Sequence, residues 1–291
     1  MTQYTIAGHS FQVSGNGLNH ISEFMPFVSE TNANEKAILQ LQLGISLIDR
    51  NIAPLRSFTA IERNTICSFA VNNNTCIIKI DKPETAPYLM EVTNQDGGFV
   101  ARTNMDEQTP GELLRLGCHL AFGIAFVHHQ TVFLHASTVM YKGKAVLFLG
   151  ESGTGKSTHT QLWLNHIPHT ELLNDDHPLV RIMDDGAVRV FGAPWSGKTP
   201  CYKNINAPVA AIVQLSQAPY NKITSLEGIT AVGALLSSCF KSFVKVETLL
   251  DKISDILSVI IKQIPVYHLE CLPNAEAAQL VFKTLKESGR L

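Results

Sequence analysis

The segment from Val146 to Leu162, VLFLGESGTGKSTHTQL, constrains the fold of this chain more than any other feature. Four apolar residues precede a glycine-rich octapeptide, Gly150 to Ser157, and a segment with helical character follows it. This order of strand, glycine-rich loop and helix is that of a phosphate-binding P-loop. Glycines let backbone N–H groups converge closely on an anion, and the N-terminus of the helix adds partial positive charge. The sequence therefore predicts a phosphate-binding loop.

The two polar residues that end this loop fit the chemistry of a nucleoside triphosphate. Lys156 can reach the β- and γ-phosphates, and the hydroxyl of Ser157 can hold a magnesium ion. The alternative interpretation is an ordinary glycine-rich connection with an incidental lysine. Because every fixed position of the motif is present and a strand precedes it, the P-loop is favoured.

A pair of carboxylates follows the helix of the loop. The run from Thr170 to Asn174 predicts a short strand, and Asp175 and Asp176 come directly after it. One carboxylate can bind the metal, directly or through water, while the other orients or deprotonates an attacking hydroxyl. Adjacent side chains diverge along a strand, so both serve one site only where the strand ends. The alternative is a solvated turn, which is what we expect for Asp184–Asp185.

Two further residues are weaker candidates on their own. His135 lies within TVFLHASTVMY, an apolar run that predicts a strand, and a histidine in such a strand is more often a core residue than a catalytic group. Lys198 follows Gly197 in GAPWSGK. A Gly-Lys pair beside a small hydroxyl residue either forms a second anion clamp or belongs to a surface loop.

The two parts of the chain differ in pattern. Residues 1–108 contain short apolar or alternating runs between turn-rich pieces, which predicts an antiparallel sheet in a β-rich N-terminal domain for substrate selection or dimerisation. Residues 109–291 contain alternating helices and strands, which predicts an α/β domain and an α+β chain overall. A mostly apolar helix begins after Thr109, and His128 and His129 lie at its end, where cations suit the helix dipole.

Composition limits the classes of partner and compartment. The 291-residue chain has a formal net charge of −2 and no block of Lys or Arg, which argues against a nucleic-acid or anionic-membrane surface. No apolar run is long enough to span a bilayer, and the first residues lack the pattern of a signal peptide. The six cysteines have no CxxC spacing, which is typical of buried thiols in a reducing compartment. We therefore expect a cytoplasmic protein.

Four segments together resemble a known family. They are LHAS (Leu134–Ser137), GESGTGKST (Gly150–Thr158), LLNDDHPLV (Leu172–Val180) and GAPWSGK (Gly192–Lys198). This succession is similar to the C-terminal catalytic domain of HPr kinase/phosphorylase, and also to the nucleotide-binding core of ATP-dependent phosphoenolpyruvate carboxykinase. In both families a histidine on a strand precedes the P-loop, and an Asp-Asp pair follows its helix.

The resemblance implies a site with ATP and Mg²⁺, or Mn²⁺ in its place. Asp175 and Asp176 match the pair that binds metal and, in the kinase, transfers a proton; Ser157 would share the metal with them. His135 matches the strand histidine that lines the site. Lys198 falls near a phosphate-contacting arginine, for which a lysine supplies charge without bidentate geometry. The residues that would bind the nucleotide are Gly150, Ser152, Gly153, Thr154, Gly155, Lys156, Ser157 and Thr158.

The implied function is a kinase of the HPr kinase-related type. It would transfer the γ-phosphoryl group of ATP to a hydroxyl of a protein, a peptide or a small molecule, and it would assemble into a homo-oligomer as relatives of HPr kinase do. The segment Thr158-His159-Thr160 departs from the acidic continuation of that family, so we expect a different substrate. Two alternatives stay open, a lyase like phosphoenolpyruvate carboxykinase and a nucleotide-binding regulatory protein without turnover.

Overall fold

The computed structural model describes most of the chain. The described residues are 1–15, 18, 21–30, 36–47, 56–60, 65–71, 74–95, 97–197 and 199–291. They form a mixed α/β fold with two large sheets and six α-helices. The chain divides into two compact units, Met1–Phe126 and Val127–Leu291. No helix in the described ranges is long and apolar enough to cross a membrane.

The elements follow one another in chain order. The first unit contains β1 (Thr2–Ile6), β2 (His9–Ser14), a 3₁₀ helix (Ser22–Phe27), β3 (Val28–Ser29), β4 (Leu39–Gln42), β5 (Arg56–Ala60), β6 (Thr65–Val71), β7 (Thr75–Asp81), β8 (Tyr88–Gln95), β9 (Gly98–Thr103) and all but the last residues of α1 (Gly111–His128). The second contains β10 (Thr131–Phe133), β11 (Ala136–Tyr141), β12 (Lys144–Leu149), α2 (Lys156–His166), β13 (Thr170–Asp176), β14 (Leu179–Ile182), β15 (Val188–Phe191), β16 (Asn206–Gln217), β17 (Lys222–Leu226), α3 (Gly228–Ser237), α4 (Lys241–Val244), α5 (Glu247–Gln263), β18 (Val266–Cys271) and α6 (Ala275–Glu287).

The first unit is built on a sheet with the strand order β3-β1-β2-β4-β9-β8-β7-β6-β5. The β-rich character predicted for this part of the chain is present. A purely antiparallel sheet, however, is wrong, because β4 lies parallel to both of its neighbours, β2 and β9. Parallel neighbours need long connections, and β3 and the β5–β8 strands occur within those connections.

Helix α1 packs within the first unit through its aromatic side chains. The ring of Phe11 on β2 lies 4.5 Å from the ring of Phe122 and 5.1 Å from the ring of Phe126, measured between centroids. These rings are fully buried, and burial of each contributes about 1.5–3 kcal/mol. The compact units therefore divide after Phe126, whereas the domains predicted from the sequence are 1–108 and 109–291.

The second unit is built on a sheet with the strand order β10-β14-β15-β16-β12-β11-β13, and β18 and β17 extend it from β16. β12, β16 and β18 run parallel to one another. Trp163 of α2 packs between Phe148 of β12 and Phe282 of α6, with ring centroids at 5.6 and 6.0 Å. This buried cluster holds α2 against the sheet, and so fixes the helix that follows the glycine-rich loop.

The apolar run from Thr131 to Tyr141, predicted as one strand, forms two. β10 pairs with β14, whereas β11 pairs with β12 and β13, so the chain changes partners between Phe133 and Ala136. His135 lies in this break, and its backbone N–H donates to the Ser238 carbonyl oxygen at 2.7 Å. His135, predicted inside a strand, thus lies between two strands. Its side chain does not follow the alternation between the two faces of a sheet that holds within a strand.

Two short turns join neighbouring strands in this unit. Lys142 and Gly143, with φ of 45° and 81°, join β11 and β12 in the manner of a type I′ hairpin. Asp184–Asp185 lies in a turn between β14 and β15, as predicted from the sequence.

Candidate active site

The glycine-rich segment connects the end of β12 to the start of α2. Gly153 and Gly155 have φ of 85° and 104°, values that L side chains rarely adopt, and a Cβ added at either would meet no atom within 4 Å. The N-cap residue of α2 is Gly155, which has no side chain to cap the first N–H groups of the helix. The loop therefore has open space beside uncapped helical N–H groups, which is the arrangement that binds an anion.

Contacts within the loop and with β16 hold its shape. A Cβ at Gly150 would lie 2.4 Å from Thr154 Oγ1, so a side chain there would displace the threonine hydroxyl from the loop. Thr154 Oγ1 donates to the Glu151 carbonyl oxygen at 2.8 Å. From β16, Gln217 Nε2 donates to the Gly153 carbonyl oxygen at 3.2 Å. The loop is thus tied to itself and to the neighbouring parallel strand.

Lys156 folds back over the loop that precedes it. Its Nζ donates to the carbonyl oxygens of Gly150, at 2.8 Å, and Glu151, at 3.2 Å. The residue is buried despite its charge. These contacts hold a cation directly beside the glycine loop. The other two polar candidates, Ser152 and Thr158, are exposed at the loop and in the first turn of α2.

Asp175 joins β13 to the first turn of α2. Ser157 Oγ lies 3.2 and 3.3 Å from the two carboxylate oxygens, and Ser137 Oγ of β11 donates to Oδ1. The backbone N–H of Thr199 donates to Oδ2 at 3.3 Å. Asp175 is buried, and β11 delivers Ser137 because the two residues are direct partners in the sheet register. A hydroxyl and a carboxylate side by side at a helix N-terminus are oxygen ligands of the kind that Mg²⁺ takes.

Asp176 lies between two histidines. Its Oδ1 is 3.1 Å from His135 Nε2 and its Oδ2 is 2.9 Å from His177 Nδ1, and the two imidazole rings stack with centroids 5.7 Å apart. Burial alone would raise the pKa of the Asp176 carboxyl. The hydrogen bonds from the two histidines, and their charge when protonated, outweigh this and lower the pKa well below its ordinary value.

The backbone of Asp176 departs from ordinary strand geometry. Its φ is 114°, outside the regions that non-glycine residues favour, although the residue is the last of β13. Residues held in such conformations cost about 1–3 kcal/mol and cluster at functional sites. The two carboxylates thus meet different partners, Asp175 the serine hydroxyls and Asp176 the histidines, at one end of the strand.

A segment that includes residues 193–197 and 199–201 lies against the carboxylate pair. Gly197 N donates to the Asp175 carbonyl oxygen at 2.6 Å, and a Cβ at Gly197 would lie 3.1 Å from Asp176 Cβ. Asn174, fully buried, holds this segment through its amide group. Its Nδ2 lies 3.2–3.4 Å from three carbonyl oxygens, those of Ala193, Trp195 and Cys201.

The structure brings most of the predicted site residues together at the ends of β12 and β13. Ser157, which follows the glycine loop and Lys156, contacts Asp175, and the next residue, Asp176, contacts His135. Lys198 lies outside the described residues. Within the part of the chain that the structure describes, no three His, Cys, Asp or Glu side chains are placed to hold a metal. A metal here would therefore depend on Ser157 and Asp175, with water and phosphate oxygens completing its shell.

Three residues of the site were not predicted from the sequence. His177 directly follows the carboxylate pair and Asn174 directly precedes it, and this adjacency was a signal that could have found them. Ser137 lies within LHAS, the segment that also contains His135. Its contact with Asp175, however, depends on the pairing of β11 with β13, which no local pattern reveals.

No protein-family model and no curated protein matches the sequence. Among solved structures, the chain is similar to the HPr(Ser) kinase/phosphatase from Coxiella burnetii, with a TM-score of 0.32 and 13% sequence identity. The match covers 54% of this chain and 95% of that chain. A similarity of this extent assigns neither a family nor an activity.

Proposed function

We propose that the chain is an ATP- and Mg²⁺-dependent kinase that transfers the γ-phosphoryl group to a hydroxyl. The observation that carries the proposal is the contact of Ser157, in the first turn after the glycine loop, with Asp175, next to an Asp176 held by two histidines. This arrangement supports a phosphate site, a metal site and a carboxylate base within one short stretch of the fold. The proposed ligands of this site are ATP, Mg²⁺ and a substrate that carries a hydroxyl group.

The glycine loop and α2 would bind the phosphates. Open space beside Gly153 and Gly155, together with the uncapped N-terminus of α2, supports binding of an anion along the loop. Lys156 would leave its carbonyl partners, or share its three N–H donors with them, to contact the β- and γ-phosphates. These groups would neutralise charge that builds on the transferred phosphoryl group.

Ser157 and Asp175 would hold Mg²⁺. The hydroxyl and carboxylate oxygens suit a hard cation that keeps several waters and takes phosphate oxygens as its other ligands. When bound, the ion would supply charge neutralisation between the phosphates. Ser137 and the Thr199 N–H orient the Asp175 carboxylate from the protein side.

Asp176 would act on the acceptor hydroxyl. Its lowered pKa keeps the carboxylate ionised, and about a third of the side chain is exposed, so a substrate can reach it. The hydroxyl oxygen would form a bond to the γ-phosphorus while the bond between that phosphorus and the β–γ bridging oxygen breaks. The hydroxyl proton would pass to Asp176, and ADP would leave. In such a loose transition state the carboxylate contributes mainly by positioning.

The acceptor would be a hydroxyl of a protein, a peptide or a small molecule, in the cytoplasm. A lyase with a second metal on His135 would need the hydrogen bond between His135 Nε2 and Asp176 to give way to that metal. Nucleotide binding without turnover would leave the constrained Asp176 between its histidines without a role.

Titration calorimetry with Mg·ATP, combined with ATP turnover measured with water or candidate hydroxyl compounds as acceptors, tests the proposal. We expect Lys156→Ala to abolish nucleotide binding. Asp176→Asn should preserve binding but lower turnover by about 10²–10⁴-fold. Asp175→Asn should weaken the dependence on Mg²⁺.

Asp184→Asn is the matched control, since it alters an exposed carboxylate of another Asp-Asp pair. It should leave both binding and turnover unchanged. Full turnover by Asp176→Asn, or wild-type nucleotide affinity in Lys156→Ala, would contradict the proposal.

A further inference from the structure

The ends of three parallel strands adjoin one another in the second unit. β12 ends at Leu149, where the glycine loop begins, β16 ends at Gln217 and β18 ends at Cys271. Ligands of open α/β sheets bind outside the carboxyl ends of such strands. The glycine loop follows the first of these ends, and the segments 218–221 and 272–274 follow the other two at the same edge of the sheet.

The end of β16 is in direct contact with the glycine loop. Gln217 Nε2 donates to the Gly153 carbonyl oxygen, and a Cβ at Gly150 would lie 3.4 Å from the Leu215 carbonyl oxygen. Tyr220 follows Gln217 by three residues, a span of at most about 10 Å. The Cα atom of Tyr220 therefore lies within about 10 Å of the Cα atom of Gln217, the residue that contacts the loop.

Two large apolar side chains at this edge are exposed, Tyr220 at 49% and Leu272 at 37%. In the described part of the second unit, only Ile229 is a further exposed large apolar residue. Exposed apolar side chains at the strand ends that also carry a polar site are typical of a ligand-binding surface.

The segments that carry these two side chains are held in place. Tyr220 Oη donates to Glu270 Oε1 at 3.0 Å, which fixes the direction of the ring. The Asn221 side chain links the segments, because its Oδ1 accepts from Leu272 N at 2.9 Å and its Nδ2 donates to Asn274 Oδ1 at 3.1 Å. A pre-organised aromatic surface costs little entropy when a flat ligand stacks on it.

We propose that Tyr220 and Leu272 form the platform for the purine base of a nucleotide whose phosphates lie in the glycine loop. This inference rests on the proposed function and deepens it by locating the base. A base has apolar π faces that stack on aromatic side chains. In a nucleotide the ribose separates the base from the phosphates, which matches the separation of the platform from the glycine loop. Recognition by stacking selects a base, but it does not distinguish strongly between adenine and guanine.

The test compares a ligand that has a base with one that lacks it. Calorimetry would measure the affinity of the full chain for Mg·ADP and for Mg·pyrophosphate. We expect Tyr220→Ala to weaken ADP binding about 10-fold and to leave pyrophosphate binding unchanged, while Tyr220→Phe, which keeps the ring, stays within about 2-fold of wild type. Leu272→Ser should also weaken ADP binding selectively, and Ile229→Ala, the control, should change neither.

An unchanged ADP affinity in Tyr220→Ala, with wild type binding both ligands, would overturn the platform and leave the phosphate site standing. An equal loss of both ligands would also overturn it, because Tyr220 would then support the loop rather than the base. Failure of wild type to bind either ligand would overturn the proposed function and the platform with it.

Discussion

Gly155 shows at the scale of one residue how the proposed phosphate site depends on backbone geometry. Its φ of 104° is demanded by the loop, although a Cβ there would meet open space. Strain rather than collision therefore makes glycine necessary, and the open space is where a phosphate would lie. Asp176, with φ of 114°, is held in an unfavourable conformation at the same site, and its contacts with the histidines compensate for that cost.

The same substitution at two glycines should therefore have opposite effects. Gly155→Ala would strain the loop, so we expect loss of stability of about 1 kcal/mol and a weaker affinity for Mg·ADP. Gly233 lies at an exposed position in the middle of α3, and its φ is one that alanine adopts without strain. Gly233→Ala should therefore stabilise the protein by about 0.5–1 kcal/mol and leave ADP affinity unchanged. Urea unfolding and calorimetry would measure both. Equal effects of the two substitutions would argue against a strained loop.

At the scale of elements, Asn174 couples β13 to the segment that lies over the carboxylates. Removing its amide leaves three buried carbonyl oxygens with one partner fewer, so Asn174→Ala should lower the free energy of unfolding by about 2 kcal/mol. Asn174→Asp should cost more, because a carboxylate would then face those oxygens. Urea unfolding would measure both, against the exposed control Asn165→Ala, for which we expect a change below about 0.5 kcal/mol. A more stable Asp variant would contradict this role.

The two histidines at the end of helix α1 differ in charge from the sequence-based expectation. His128 and His129 lie at its C-terminus as predicted, but they are not the cations that suit a helix dipole. Burial, with the nearby charges of Lys252 and His129, lowers the pKa of His128 to about 4. Burial, with the charge of Arg181, also lowers the pKa of His129. Both are therefore neutral at pH 7.

This neutrality predicts a loss of stability in acid. Between pH 6.5 and about 4 the unfolded chain binds a proton at His128 that the folded chain does not, so the free energy of unfolding falls as the pH falls. The shift corresponds to at most about 3 kcal/mol, and partial exposure of the side chain reduces our expectation to about 1 kcal/mol. His128→Asn should flatten the urea-unfolding profile over this range by that amount. A profile as steep as that of wild type would refute the assignment.

The sequence predicted the parts of the site that local pattern specifies. The glycine loop, Lys156, Ser157 and the adjacent carboxylates depend on neighbours in the chain, and the structure gathers them at one edge of the sheet. What the sequence could not predict depends on partners far along the chain. β4 runs parallel to its neighbours, and β10 is separate from β11, because these strands pair with strands that lie far away in the sequence. The register that brings Ser137 opposite Asp175 also depends on such pairing.

At the scale of the whole molecule, the two compact units can be followed separately in solution. The chain contains two tryptophans, Trp163 and Trp195, and both are buried in the second unit. Tryptophan fluorescence therefore reports the unit that contains the proposed nucleotide site. Far-UV circular dichroism reports both units, because strands and helices contribute from each.

Ligand binding should therefore stabilise one unfolding transition selectively. Mg·ADP at 100 times its dissociation constant adds about 2.7 kcal/mol to the stability of the unit that binds it. We expect the urea midpoint monitored by tryptophan fluorescence to rise. The part of the dichroism signal that comes from the first unit should keep its urea midpoint. Lys156→Ala should show no rise. A single transition that shifts equally by both probes would contradict independent unfolding of the units.

The most direct measurement is a crystal structure with Mg²⁺ and a non-hydrolysable ATP analogue. We expect the β- and γ-phosphates on the N–H groups of residues 150–157, the metal beside Ser157 Oγ and Asp175, and the Asp176 carboxylate facing the γ-phosphate. Phosphates bound away from the glycine loop, or an Asp176 carboxylate turned from the γ-phosphate, would contradict the proposed function.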